Sequence, residues 1–170
     1  MTRPQPNEAA SYYSRYIDLI QTDEIIPTLK SQLEETKAFL AGISEEQSLQ
    51  SYAPDKWTLR QVVNHMNDTE RVFIHRAFWF ARGFGDALPS FDQDICVAAS
   101  SANDMSWDGL KDEFNHVRLA TISFFENLSP EAWSRTGIAS DNSVSVNALA
   151  YIIAGHLAHH RNVIEERYLA

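Results

Sequence analysis

Residues 145–168 read SVNALAYIIAGHLAHHRNVIEERY. Leu149, Ile152, Ile153, Val163 and Ile164 recur at helical spacing, and His156 and His160 fall on the same stripe. The pattern predicts one long helix over this stretch, capped by Ser143 or Ser145. Each residue advances about 100° round a helix. With His156 at the centre, Leu149, Ile152, Ile153 and Val163 lie between about −40° and +60°, and His160 near +40°. His159 lies near −60°, at the edge of that face. His156 and His160 therefore point inward, one turn apart, and two imidazoles so placed can hold a transition metal. A His156/His159 pair is the second choice, because rings three residues apart also meet.

Three further helical patterns precede this one. The first covers roughly 23–42, with Ile25, Ile26, Leu29, Leu33, Thr36 and Leu40 as its stripe and Thr22 or Asp23 as its expected cap. Pro27 falls near its first turn, where a missing N–H is tolerated. The second covers roughly 58–82, opened by a Thr58/Gln61 capping box and stopped by Gly83. The third covers roughly 107–127, capped by Ser106, with Leu110, Phe114, Val117, Thr121 and Phe124 or Phe125 inward. Together these predict an all-α protein, a four-helix bundle with long connections at about 43–57, 83–105 and 128–144. Ser44-Glu45-Glu46-Gln47 reads as a capped helical turn, and a hairpin-like piece surrounds Asp141-Asn142. The expected organisation is a loose tail and short docked helix over 1–21, carrying Tyr12, Tyr13 and Tyr16, then a single domain over 22–170.

A net charge of −9 argues against a general attraction to nucleic acid or anionic membrane. No apolar run approaches the roughly 18 residues of a membrane span. The single cysteine, Cys96, allows no intrachain disulfide and fits a reducing compartment. The start lacks the apolar core of a signal peptide, so a cytoplasmic location is expected. There is no Gly-rich phosphate loop and no nucleophile elbow around a serine.

His65 shares a face of the second helix with Val62, Thr69, Val72 and Arg76, so it too should look inward. Two readings stay open for the three imidazoles. Each is a core histidine satisfied by its own hydrogen bond, or the three converge on a cation. Six ring nitrogens need partners, and a bound cation meets part of that demand at once. His75 lies at the edge of its face and His116 off its stripe, so neither is expected to bind metal. Glu70 sits about 140° from His65 and is expected in solvent. Asp68 is a candidate to orient an imidazole through its far nitrogen. Arg76 either holds an anionic substrate or pairs with a buried carboxylate, the second being preferred.

Lys56-Trp57-Thr58 leads into Val62-Val63-Asn64-His65-Met66-Asn67-Asp68. Leu128-Ser129-Pro130-Glu131-Ala132-Trp133 follows, then Gly155-His156-Leu157-Ala158-His159-His160-Arg161. In order, spacing and helix placement these resemble the DinB-like superfamily, metal-dependent enzymes built on a four-helix bundle. The resemblance covers nearly the whole chain after about residue 20. It implies that His65, His156 and His160 are ligands to a divalent metal, zinc or nickel-like, with positions open to water or substrate. It also implies an up-down-down-up bundle, often a homodimer, and reactions that use low-molecular-weight thiols. Asn162 departs from the pattern, since many relatives carry Gly after His-Arg.

The function expected is a divalent-metal-dependent enzyme, a thiol-dependent transferase or a hydrolase. Such a metal lowers the pKa of water or binds and deprotonates a thiol. The first alternative is a non-enzymatic bundle that binds a small ligand or partner, with a structural or sensory metal. The second is a dimerising bundle with no metal at all.

Overall fold

The computed structural model describes residues 2–170. A 3-10 turn at Ser11–Tyr13 runs into the short helix α1 (Ser14–Ile17). Then come α2 (Ile25–Ala41), the single turn α3 (Glu45–Ser48) and α4 (Leu59–Ala81). Helix α5 (Gln93–Ala99) and a 3-10 turn at Ala102–Asp104 lead to α6 (Trp107–Glu126). After α7 (Pro130–Trp133) and the strands β1 (Thr136–Ala139) and β2 (Asn142–Ser145), the chain closes with α8 (Val146–Arg167). The four long helices lie where the apolar periodicity puts them.

Their ends follow from local chemistry. Thr58 accepts from the Gln61 N–H while the Gln61 side chain accepts from the Thr58 N–H, the reciprocal box expected at the start of α4. Ser44 and Gln47 do the same for α3. Ser106 caps α6, and Ser145, of the two serines considered, caps α8. Helix α2 departs from expectation. It begins at Ile25 with Glu24 at the cap position and no side-chain cap, because Thr22 spends its hydroxyl one turn early, on the Glu24 N–H. Gly83, with φ of +83°, ends the run after α4, a conformation glycine adopts without strain.

Helix directions can be read from paired side chains. Ile43 meets Trp107 and Lys30 meets Glu126, so α2 and α6 are antiparallel. Asn67 meets Glu113 and Phe78 meets Phe124, so α4 and α6 are parallel. Trp57 meets Tyr168 at one end and Arg76 meets Ser140 at the other, so α8 runs against α4. Gln32 meets Ala154 and Glu35 meets Arg161, so α2 and α8 are parallel. The bundle is therefore up-down-down-up. Its parallel middle pair explains the long connection over 82–106, which must return the full length of the bundle.

A polar network crosses the apolar core. Arg118 is fully buried, and its guanidinium donates to Glu70 at 2.8 Å and to the Gln32 side-chain oxygen at 3.2 Å. The Gln32 amide in turn donates to the Ala154 carbonyl at 2.9 Å. One chain of contacts thus joins α6, α4, α2 and α8. Glu70, expected in solvent, is 6% exposed. The first half of α4 is covered by α3, α5, α6 and α8, so it has almost no solvent face. Val117, expected inward, is only half-buried, and Arg118 takes the core position beside it.

Residues 2–10 carry no helix but are pinned across the start of α8. The Ser145 N–H donates to the Glu8 carbonyl at 2.9 Å, and the Asn147 amide to the Thr2 carbonyl at 3.1 Å. Helix α1 then packs on α8 at Gly155, where a Cβ would come within 2.0 Å of the Tyr16 carbonyl oxygen. The hairpin turns through Ser140 and Asp141, both with positive φ, the backbone of a two-residue type I′ loop. Among the described residues no helix is long and apolar enough to cross a membrane.

Removing one partner of the buried pair strands the other. Arg118→Ala should lower unfolding free energy by about 3–5 kcal/mol in urea titrations. The double variant Arg118→Met/Glu70→Leu should lose markedly less, because no charge is left unpaired. A double variant as unstable as the single would contradict this account.

Candidate metal centre

Helix α4 presents His65 and α8 presents His156 and His160 to one point inside the bundle. His156 Nε2 lies 3.2 Å from His65 Nε2 and 3.1 Å from His160 Nε2. One donor atom from each of the three lies within 4.8 Å of the other two. His65 and His156 are buried, and His160 is half-buried. His159 stays outside the set. Its ring rests on Tyr16 and His160, with centroids 5.5 and 5.0 Å away. His75 and His116 are exposed and remote, as expected.

Protons alone satisfy this arrangement poorly. A neutral ring nitrogen offers one N–H or one lone pair in the ring plane. His156 Nε2 faces two other nitrogens at hydrogen-bond distance and cannot serve both well. A tetrahedral ion held by imidazoles at about 2.0–2.1 Å separates its ligand nitrogens by roughly 3.3 Å. The donor set and the two short separations therefore fit a small divalent cation.

The surroundings hold the rings neutral. Burial pushes His65 down to about 4, with Asp68 and Asp94 pulling weakly the other way. Burial, then His65 and His159, pushes His160 down to about 3. His156 lies well below its ordinary 6.5, through burial first, then its histidine neighbours and Arg118. Neutral imidazole is the form that binds metal.

Thr69, not Asp68, partners the far nitrogen of a ring. Its hydroxyl is 3.2 Å from His65 Nδ1, one turn along α4. Accepting the Nδ1 proton leaves the Nε2 lone pair free for the cluster. The signal was present as a hydroxyl residue four places after His65 on the same face. Asp68 instead accepts from Asn64, Arg71 and Cys96. Burial and that carboxylate raise the Cys96 thiol, keeping it protonated. His160 Nδ1 is buried without a protein partner among the described residues, so the ring is held through its Nε2 and by packing.

Two clefts approach the cluster. One, of about 180 Å³, is bounded by His65, His156, Thr69, Phe73, Tyr16 and Arg76. The other, of about 280 Å³, reaches His160 beside Trp57 and Tyr168. The Trp57 ring, set just before the α4 cap, lies 5.1 Å from the His65 ring and walls that side. Tyr16 stands over His156 with ring centroids 5.3 Å apart. Burial, then Tyr12, pushes its phenol up to about 12, so it keeps its proton. Arg76 is buried but meets no carboxylate, against expectation. Its Nη2 donates to the Pro89 carbonyl and the Ser140 hydroxyl, each at 3.0 Å.

Sequence comparison identifies the class to which this bundle belongs. Residues 28–164 match the DinB superfamily, and the chain belongs to that family. The fold is similar to that of YfiT from Bacillus subtilis, described as a probable metal-dependent hydrolase with an unusual four-helix bundle topology. That likeness has a TM-score of 0.76 at 17% identity, over 96% of this chain and 91% of that one. A mycothiol-dependent maleylpyruvate isomerase is similar over 85% of this chain and 61% of its own, with TM-score 0.69 and 12% identity. The DinB-like protein YjoA from Bacillus subtilis is similar over 86% and 90%, with TM-score 0.60 and 16% identity. No curated protein sequence matches the chain. At these identities the structural likeness concerns the fold.

The depressed imidazoles have a measurable consequence in metal-stripped protein. A histidine whose folded pKa is lowered leaves the folded state with fewer protons than the unfolded one. Its stabilisation is complete above the ordinary 6.5 and is lost as pH falls toward the folded values near 4 and 3. The urea midpoint of the stripped protein should therefore fall between pH 6.5 and 5.5, above the range where most carboxylates titrate. A flat or rising midpoint in that window would contradict the neutral cluster.

Proposed function

We propose that His65, His156 and His160 hold a divalent metal ion, zinc or nickel, in a thiol-dependent transferase or hydrolase. The observation that carries this reading is the convergence of the three Nε2 atoms at one point, reached by one cleft at His65 and His156 and by another at His160. A purely structural ion would be closed off by a fourth protein ligand. Among the described residues the clustered donors are these three. A mycothiol-dependent neighbour and one described as a probable metal-dependent hydrolase are consistent with this chemistry.

A divalent ion at that point supplies a Lewis acid that acidifies a bound thiol or water. The chain's own groups do the rest. Thr69 is placed to accept the His65 Nδ1 proton, which would turn the Nε2 lone pair toward the cluster. Phe73 and Tyr16 wall the cleft beside His156, and Trp57 packs on His65. The Tyr16 phenol, still protonated near neutral pH, is a neutral donor at the cleft wall. Gly155 sets its position by letting α1 lie directly on α8.

Untagged protein should carry about one divalent ion per chain by elemental analysis. His156→Ala should abolish it, and Thr69→Val should weaken affinity by roughly 10–100-fold. Metal content unchanged by His156→Ala would overturn the assignment. Turnover assays that pair low-molecular-weight thiols with electrophiles, against ester and amide panels, separate transferase from hydrolase.

A further inference from the structure

The protein buries three arginines, Arg60, Arg76 and Arg118, each at most 4% exposed. Arg60 is paired with Glu45, and Arg118 with Glu70. Arg76 has no carboxylate partner among the described residues. Two neutral acceptors, the Pro89 carbonyl and the Ser140 hydroxyl, take up its Nη2. Among the described residues its Nε and Nη1 have no hydrogen-bond partner, and both keep some contact with the solvent of the cleft. An isolated buried cation is costly, and the chain avoids that cost at its other two buried arginines. At Arg76 the free edge lines the same cleft that reaches His65 and His156.

The support for Arg76 is itself built. Ser140 holds φ of +51°, a position where hairpins favour Gly, Asn or Asp. The residue present there supplies the hydroxyl that binds Arg76. The Ser140 N–H is tied to the Leu88 carbonyl and the Leu88 N–H to the Ile138 carbonyl, so hairpin and 83–92 segment are clamped together behind the guanidinium. Phe73 lies between the guanidinium and the histidines. The Phe73 ring centroid is 5.8 Å from the Arg76 guanidinium carbon and 6.1 Å from the His156 ring.

We propose that Arg76 is the anchor for a substrate carboxylate, making the cleft specific for an acid whose apolar spacer crosses Phe73 and whose reacting end meets the three histidines. The last part rests on the function proposed above; the acid anchor does not. Guanidinium is suited to it, because its fixed planar donors match a carboxylate and it stays charged at any working pH.

Calorimetric titration with four probes tests this: hexanoate, hexanol, and the same two carrying a terminal thiol, mercaptohexanoate and mercaptohexanol, on metal-loaded protein. Each acid should bind at least about ten-fold more tightly than its alcohol, with or without the thiol. Arg76→Gln should collapse the contrast, Arg76→Lys should keep part of it, and Ser140→Ala should reduce it with the fold intact by circular dichroism. Equal affinity of acid and alcohol for the wild-type protein, or a contrast that survives in Arg76→Gln, overturns the anchor. Failure of the metal reading looks different. The thiols then gain nothing over their thiol-free counterparts, while the acid contrast stands.

Discussion

One buried arginine constrains how these four helices can assemble. Apolar stripes are non-directional and can be buried in more than one helix arrangement. Arg118 is not so tolerant. Its charge must meet Glu70 on α4, and its second contact must be Gln32 on α2. Helix α6 therefore sits between α2 and α4. A bundle whose neighbours followed chain order would border α6 with α8 instead, moving Gln32 across the diagonal. The Gln32 amide closes the circuit on α8 through Ala154, two residues before His156. A pair of this kind adds little net stability over apolar packing, but it penalises every arrangement that leaves one charge alone.

The same turn of α4 that supplies Glu70 also supplies Thr69. One faces Arg118 and fixes the helix against α6; the other faces His65 and fixes a ring. The position of α4 and the orientation of its imidazole are thereby set together. On α8, Gly155 plays the matching part. Its missing side chain admits the backbone of α1, and the next residue, His156, receives Tyr16 as a lid. Arg118 completes the link between core and site, since its positive charge adds to burial in keeping His156 unprotonated.

Most of the framework was legible because local chemistry encodes it. Periodic apolar residues place α2, α4, α6 and α8; the Thr58/Gln61 and Ser44/Gln47 boxes mark starts; helix phase separates His156 and His160 from His159. What escaped was whatever depends on several elements at once. Glu70 reads as a solvent residue when α4 is treated as having one buried face, yet short α3 and α5 cover its flanks. Asp68 has the right chemistry to support an imidazole but points toward Arg71 and Cys96, a choice set by where α5 lies. Arg76 sits on the predicted inward face, yet the absence of any carboxylate opposite it depends on residues from 89 and 140, far off in sequence.

Charge balance ties the site together. Three neutral imidazoles would contribute ligand atoms but no charge. A divalent ion among them would bring two positive charges into a region that already holds Arg118 beneath it and Arg76 along the cleft. Glu70 is spent on Arg118, and Asp68 is held outside by Arg71. The chain as a whole is acidic, with a net charge of −9, and Asp68 and Asp94 act on His65 from nearby, so Arg76 is the cation that lines the cleft. With a divalent ion at the histidines, the cleft would leave part of its compensation to the ligand. An anionic group at Arg76 and a thiolate or other anion at the histidines would each neutralise one end, while Phe73 between them offers only apolar contact. Selectivity then follows from separation: a molecule with one anionic end gains at one site, and a molecule with both, suitably spaced, gains at each.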